Sequence, residues 1–537
     1  MRRAIQRWWL ALPILGLPLW ALAPAPAGAG TARTAQAAAG EPAVARVIVK
    51  YRATSALMTS RATAMRVAAD GRVLPQHAGQ LGRRLGLTLS DGHVLGARTQ
   101  SVRAAGLSSS VLAERLAAQA DVEWAVPALP RRAAGVIPND PLYGNAPANT
   151  TPAVGQWYLR PYDASAPAAI NAEGAWAITT GSPSVTVAVL DTGVRFDHPD
   201  LVNKLWPGYD LVSRASTSLD NNGPDSDATD PGTNLDGSCG TGSDWHGTQV
   251  ASLVAADTDN GIGMAGAGRN VKVLPVRVLG RCGIGYDDDI IAGMRFAANL
   301  SSSNTANPHP AKVINLSLGG RGDCASTTGT AYREVLAELA VAGVTVVVAA
   351  GNTDQPFQDQ QVLMPGNCSG VIAVAAIRHV GTKVGFSRLG PEVAISAPGG
   401  NCVNTSGACL YPLITATNTG TLGPLVSSYT TSFQYDVGTS FSAPLVSGTV
   451  GLMLSVNPAL TPARIRQALT ASARPFPTTG ALTAGTAACR APDAVEQVEC
   501  YCNTSTCGAG MLDAAAAVVA AQTAGMLSAR GPTASRS

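Results

Sequence analysis

Three short segments carry residue types that together can do nucleophilic chemistry. Ala188-Val189-Leu190-Asp191-Thr192-Gly193 ends an apolar run in a carboxylate, and His246-Gly247-Thr248-Gln249-Val250-Ala251 opens an apolar stretch with an imidazole. Gly438-Thr439-Ser440-Phe441-Ser442-Ala443-Pro444 surrounds a serine with small residues, which lets backbone and substrate approach closely. A serine hydroxyl is a weak nucleophile at neutral pH; it needs a base within hydrogen-bond reach, and the base needs an orienting carboxylate. Asp191, His246 and Ser440 supply the three parts. Acyl transfer also needs donors aimed at the developing oxyanion, worth about 3 kcal/mol for one side-chain amide. Asn352 follows the apolar run Val344–Ala349 and can place its amide there, with the Ser440 backbone N–H as second donor.

Each residue alone has a plainer reading: a turn-capping aspartate, a helix-cap histidine, one serine of many, a turn asparagine. Their joint occurrence argues for chemistry. An aspartic peptidase needs two carboxylates sharing a proton, and no second Asp-Thr/Ser-Gly follows. An esterase of the Gly-x-Ser-x-Gly kind is excluded by Gly-Thr-Ser-Phe-Ser at 438–442. The rival from another class is a non-catalytic binding protein that keeps the fold.

These residues need a scaffold. Short apolar runs recur at Val185–Leu190, Val271–Leu279, Val313–Leu318, Val344–Ala349, Val371–Ala375 and Val393–Ala397, with helix-like text at Asp289–Leu300, Tyr332–Ala342 and Ser442–Leu454. Continuous apolar strands alternating with helices predict an α/β fold: a mostly parallel sheet covered on both faces. Ligands bind such sheets at the carboxyl ends of strands, where Asp191 and Asn352 fall. Before it, Val44–Tyr51 and Val122–Val126 read as strands and 110–119 as an amphipathic helix, a small α+β unit.

The text LDTGV at 190–194, HGT at 246–248, NLSLGG at 315–320, AAGN at 349–352 and GTSFSAP at 438–444 resembles a subtilisin-like serine peptidase (subtilase), over residues 134–525. The order Asp, His, Ser is also that family's. The resemblance implies a secreted serine endopeptidase acting on protein or peptide substrates, with Asp191, His246 and Ser440 as triad and Asn352 as oxyanion donor. It implies that Ser317-Leu318-Gly319 pairs with substrate as an added strand and that Gly283-Ile284-Gly285 clasps it from the other side. Leu363 and Met364 are expected to shape the first specificity pocket. The small N-terminal unit resembles the family's inhibitor-type prosegment, a self-made intramolecular inhibitor in a self-processing zymogen. Two departures stand out: Gln249 where a second histidine is frequent, and Phe441 where methionine is.

Calcium is expected in two places. Asp200 with Asn260, Ile262 and Met264 resembles the family's calcium loop. Asp225, Asp227 and Asp230 lie in an acidic, Gly- and Pro-rich stretch at 220–236 whose oxygens suit Ca²⁺, although its spacing is not an EF-hand. Zinc is not expected, since Cys500-Tyr-Cys502 lacks the usual spacing, and the chemistry itself needs no cofactor. All ten cysteines lie between Cys239 and Cys507, and an even count in an exported chain implies disulfides whose pairing spacing does not reveal. Cys239 and Cys282 each flank a substrate-facing segment, Cys324 and Cys368 follow the Gly319 turn and the Asn352 loop, and Cys402 and Cys409 could close a short loop.

Arg2, Arg3 and Arg7 precede an apolar run from Trp8 to Ala23, and Ala27-Gly28-Ala29 offers a cleavage site. The run contains Pro13 and Pro18 and falls short of the ~20 residues a spanning helix needs, so no membrane partner is expected. The expected organisation is a signal peptide at 1–29, a linker at 30–43, a propeptide at 44–133, the peptidase at 134–525 and a disordered tail at 526–537. Residues 1–133 hold 17 Lys/Arg against 6 Asp/Glu, a balance of +11; the rest hold 21 against 29, a balance of −8. The basic residues are scattered rather than clustered, so the segment is read as docking on its own acidic domain, with no nucleic-acid partner. A monomer is expected.

Overall fold

The computed structural model describes residues 44–529 except 56, 58–76, 97, 129–136, 145–149, 151, 301–304, 354–359, 402–407 and 494. The expected signal peptide, linker and propeptide boundary therefore lie outside the described residues, as does Cys402. The chain divides into two compact units, Met1–Arg131 and Arg132–Ser537.

The first unit runs β1 (Val44–Tyr51), α1 (His77–Leu85), β2 (Leu89–Gly96), β3 (Thr99–Ala105), α2 (Ser109–Ala117) and β4 (Val122–Pro127). Its antiparallel sheet has the order β2-β3-β1-β4, a split β-α-β arrangement. Period-2 alternation in β1 sends Ala45, Val47, Val49 and Tyr51 inward, where they meet Leu81, Leu112 and Leu116. Ser108 caps α2 by accepting from the Val111 N–H at 3.2 Å.

The second unit is built on seven parallel strands: β5 (Thr186–Asp191), β6 (Tyr209–Asp210), β7 (Lys272–Arg277), β8 (Val313–Leu316), β9 (Thr345–Ala349), β10 (Ile372–Ile377) and β11 (Val393–Pro398), in the order β11-β10-β9-β8-β5-β7-β6. Both faces are covered, which is why the strands read as unbroken apolar text. In β5, Val187 and Val189 enter one core while Ala188 and Leu190 enter the other. Helices α3 (His246–Ala255), α4 (Asp287–Ala297), α5 (Thr330–Val341), α6 (Thr439–Val456), α7 (Pro462–Ala471) and α8 (Ala514–Ala529) flank the sheet, and a hairpin of β12 (Ala416–Asn418) and β13 (Ser427–Tyr429) lies between α5 and α6 in sequence. Helix α6 is long and apolar enough to cross a membrane, but 83% of it is buried in the core. Helix α8 runs to Ala529, so 526–529 belong to a helix and not to the expected tail.

Disulfides join Cys239 to Cys282, Cys324 to Cys368, Cys489 to Cys500 and Cys502 to Cys507. The first two are the pairs that the flanking segments had pointed to.

Candidate active site

Asp191 ends β5 and is 1% exposed. Its Oδ1 accepts the Thr192 backbone N–H at 2.8 Å. His246 Nδ1 lies 2.8 Å from Oδ1 and 3.0 Å from Oδ2 of the same carboxylate. The carboxylate therefore holds the Nδ1–H and leaves Nε2 as the free acceptor. His246 can stand there because α3 begins on it and its neighbour has no side chain: a Cβ on Gly247 would fall 2.0 Å from the Gly193 carbonyl oxygen and 3.2 Å from Asp191 Cβ. The Gly247 N–H donates to Thr192 Oγ1 at 3.0 Å, and that hydroxyl donates to buried Asp230 at 2.7 Å.

Burial acts on the imidazole to lower its pKa. Asp191, by charge and hydrogen bond, and then Asp244 and Asp436 overcome this and push it up to about 9. Gln249 reaches the last of these: its Nε2 donates to Asp436 Oδ2 at 2.6 Å. Burial raises the Asp436 pKa.

Ser440 is the second residue of α6. Its hydroxyl donates to the Ser317 carbonyl at 3.1 Å, and among the described hydrogen bonds it makes none to His246. The imidazole faces Phe441, with ring centroids 5.6 Å apart. Asn352 lies just past β9. Its Oδ1 accepts both the Thr439 N–H (3.0 Å) and the Thr439 hydroxyl (3.1 Å), which fixes the amide and turns Nδ2 outward. A Cβ on Gly438 would stand 3.0 Å from that Nδ2.

A cleft of about 640 Å³ adjoins these groups, lined by His246, Asn352, Met364, the Gly283–Gly285 segment and the Ser317–Gly320 segment. Gly319 lies against Leu363, whose Cβ would be 3.0 Å from an added Cβ, and Gly320 pairs with Met364 through two backbone hydrogen bonds. Leu318 and Gly319 make no described backbone hydrogen bond, so their peptide groups are free to take an added strand. The opposite wall is less open than expected: the Gly283 and Ile284 N–H groups close a turn on Gly280 and Arg281, and only Gly285 keeps its N–H and C=O unpaired among the described backbone bonds.

The two expected calcium sets fare differently. Asp227 is exposed and Asp225 half-buried, and each carboxylate closes a local turn by accepting the N–H two residues on. Asp230 is buried and bonded to Thr192 and Gly232. Among the described residues, the one group of three or more His, Cys, Asp or Glu ligand atoms within 4.8 Å is Cys489, Cys502 and Cys507, all disulfide-bonded. Asp225, Asp227 and Asp230 thus do not converge, because the acidic loop spends its oxygens on its own backbone.

Around Asp200 the picture is closer to a cation site. Asp200 is fully buried, accepts from Asn260 Nδ2 at 2.9 Å and from the Met264 N–H at 2.8 Å, and burial raises its pKa. The Ile262 N–H is taken by Asn260 Oδ1 at 2.9 Å. A residue that sequence reading missed, Asp140, lies against the same loop. Asp140 is 3% exposed, its Oδ2 accepts the Asp259 N–H at 3.0 Å, and its Oδ1 is buried with no hydrogen-bond partner among the described residues. Burial first, then the Asp200 charge, raises its pKa too. Two buried carboxylates facing each other's field, one with an orphaned oxygen, are a donor set suited to a hard cation. The available signal was Asn139-Asp140-Pro141, at the start of the second unit.

A nucleophile-bearing helix, a carboxylate–imidazole pair and an oriented amide at the carboxyl edge of a seven-stranded parallel sheet define a serine peptidase domain of subtilisin type. Residues 182–499 match the model of the subtilase family. An extracellular protease of Xanthomonas campestris pv. campestris is 40% identical over 361 residues, 66% of this chain and 54% of that one. An extracellular basic protease of Dichelobacter nodosus is 32% identical over 470 residues, 81% of this chain and 70% of that one. A solved protease of Pseudoalteromonas arctica PAMC 21717 superposes with a TM-score of 0.59 and 38% identity, over 72% of this chain and 99% of that chain. The chain belongs to the subtilase family.

Proposed function

We propose that the protein is a secreted serine endopeptidase of broad specificity, made as a self-inhibited precursor. Ser440 attacks the scissile carbonyl, His246 Nε2 takes its proton and later gives it to the leaving amine, and Asp191 holds the imidazole. Asn352 Nδ2 and the Ser440 N–H, one of the unpaired donors at a helix start, stabilise the tetrahedral intermediate. An acyl-enzyme then reacts with water. To donate to Nε2, the Ser440 hydroxyl must give up its bond to the Ser317 carbonyl.

The observation that carries this reading is the Asp191–His246 contact at 2.8 Å beside an amide whose orientation Thr439 fixes. Substrate lies along Ser317, Leu318 and Gly319 as an added strand and meets Gly285 across the cleft. Export rests on the N-terminal segment at 1–29 and on relatives named as extracellular. The unit at 44–133, with its excess of positive charge, acts as the intramolecular inhibitor. Ca²⁺ is held by Asp140 and Asp200, where it offsets two buried charges and ties the start of the peptidase unit to the Asn260–Met264 loop. The working enzyme is a monomer.

The test is Ser440→Ala. It should secrete as a folded chain without peptidase activity and with the prosegment still attached. Wild-type activity in that variant ends the proposal.

A further inference from the structure

Helix α6 carries Ser440 one residue after its start and Pro444 four residues later. In an α-helix the Ser440 carbonyl would accept the N–H of residue 444, but proline has none. That carbonyl instead accepts the Ser317 hydroxyl, at 2.7 Å. The Ser317 hydroxyl is in turn held by Asn315 Nδ2 at 2.9 Å, and Asn315 Oδ1 accepts the Ser447 hydroxyl at 2.8 Å. Asn315 and Ser447 are fully buried, and Ser317 is 4% exposed. Asn315 interrupts the apolar strand Val313-Ile314-Asn315-Leu316, so its amide stands in the middle of the sheet. Burying an amide there is unfavourable unless it is bonded, and the side-chain bonds described for it lead only to Ser317 and Ser447.

We propose that Asn315 and Ser447 are positioning residues for the nucleophile. They hold the Ser317 hydroxyl on the Ser440 carbonyl, which fixes the peptide unit from which the Ser440 side chain projects. The proposal rests on the reading of Ser440 as nucleophile. Neither residue is described in contact with Asp191 or His246, so their effect is on the aim of the hydroxyl and not on the basicity of the imidazole.

The experiment is a cycle of Ser447→Ala, Ser317→Ala and the double variant in the full chain. A small fluorophosphonate serves as the probe, since it engages the nucleophile without an extended peptide. Mass spectrometry of the labelled wild type comes first: absence of label on Ser440 overturns the functional reading itself. Given that label, Ser447→Ala should slow both phosphonylation and kcat about tenfold, the scale expected for a sub-ångström misplacement of a reacting group. KM for a peptide and the pH midpoint of the rate should stay as in wild type. The double variant should be no slower than Ser317→Ala, because both remove one chain of contacts. Unchanged rates, a rise in KM in place of the fall in kcat, or additive losses in the double variant would each overturn the proposal. Should Ser447→Ala fail to fold, Asn315→Ser, which shortens the link, decides by the same phosphonylation rate.

Discussion

The contact between Gly247 and the end of β5 makes a sharp prediction. Helix propensity alone favours Gly247→Ala by about 1 kcal/mol. Sterics oppose it: the new Cβ would lie 2.0 Å from the Gly193 carbonyl oxygen, a backbone atom that cannot swing away. Ordinary contact begins near 3.4 Å, so α3 must retreat by roughly 1.4 Å. His246 is the first residue of that helix, and its Nδ1 sits 2.8 Å from Asp191 Oδ1, so the same retreat carries it out of hydrogen-bonding range. A displacement of about 1 Å at a catalytic group costs on the order of 10²-fold in rate, or about 2.7 kcal/mol. The assay is kcat on a peptide anilide, with thermal unfolding followed in parallel. The expected result is a folded protein, about a hundredfold slower, labelled by a fluorophosphonate with a similar deficit. A Gly247→Ala variant within threefold of wild type would refute the reasoning, since the strand end and helix start could then separate without moving the imidazole.

Other expectations follow from the same geometry. His246 must be neutral to act as a base, so kcat/KM should rise with pH up to a midpoint near its pKa of about 9, and Asp436→Asn should move that midpoint down by removing a charge that favours the imidazolium. The folded pKa lies above the ordinary value near 6.5, so the stabilisation from the ion pair is complete below about pH 6.5 and is lost as pH rises through about 9; the melting temperature of Ser440→Ala should fall across that window. Asn352→Leu should lower kcat by roughly 10²- to 10³-fold with KM for a peptide little changed, measured by steady-state kinetics. Calcium at a hundred times its dissociation constant should add about 2.7 kcal/mol to unfolding stability, and Asp140→Asn should abolish that response in a calcium titration followed by melting temperature.

Much of this arrangement can be read from the chain. Asp191 and Asn352 sit directly after runs such as Val187-Ala188-Val189-Leu190, whose lack of alternation already implies a sheet with two covered faces. Helices such as Tyr332–Ala342 were legible because their apolar positions repeat at helical spacing. In the first unit, β2 and β3 went unread: Leu89-Ser90-Asp91-Gly92-His93-Val94 is polar and interrupted by glycine, and its pairing with β3 shifts register twice. The acidic loop misled because composition counts oxygens without saying where they point, and Asp225 and Asp227 point back at their own backbone.

The kinds of groups present, most of the strands and helices that carry them and the edge of the sheet where they end follow from local pattern along the chain and from side chains whose chemistry has few alternatives. Which of them meet is set by how the elements pack against one another. Asp140 takes the Asp259 N–H across 119 positions, Gln249 turns to Asp436, Ser447 reaches Asn315 through the core, and cysteines pair where folding brings their Cα atoms to about 5 Å. These are through-space contacts set by packing between elements, and no spacing along the chain encodes them.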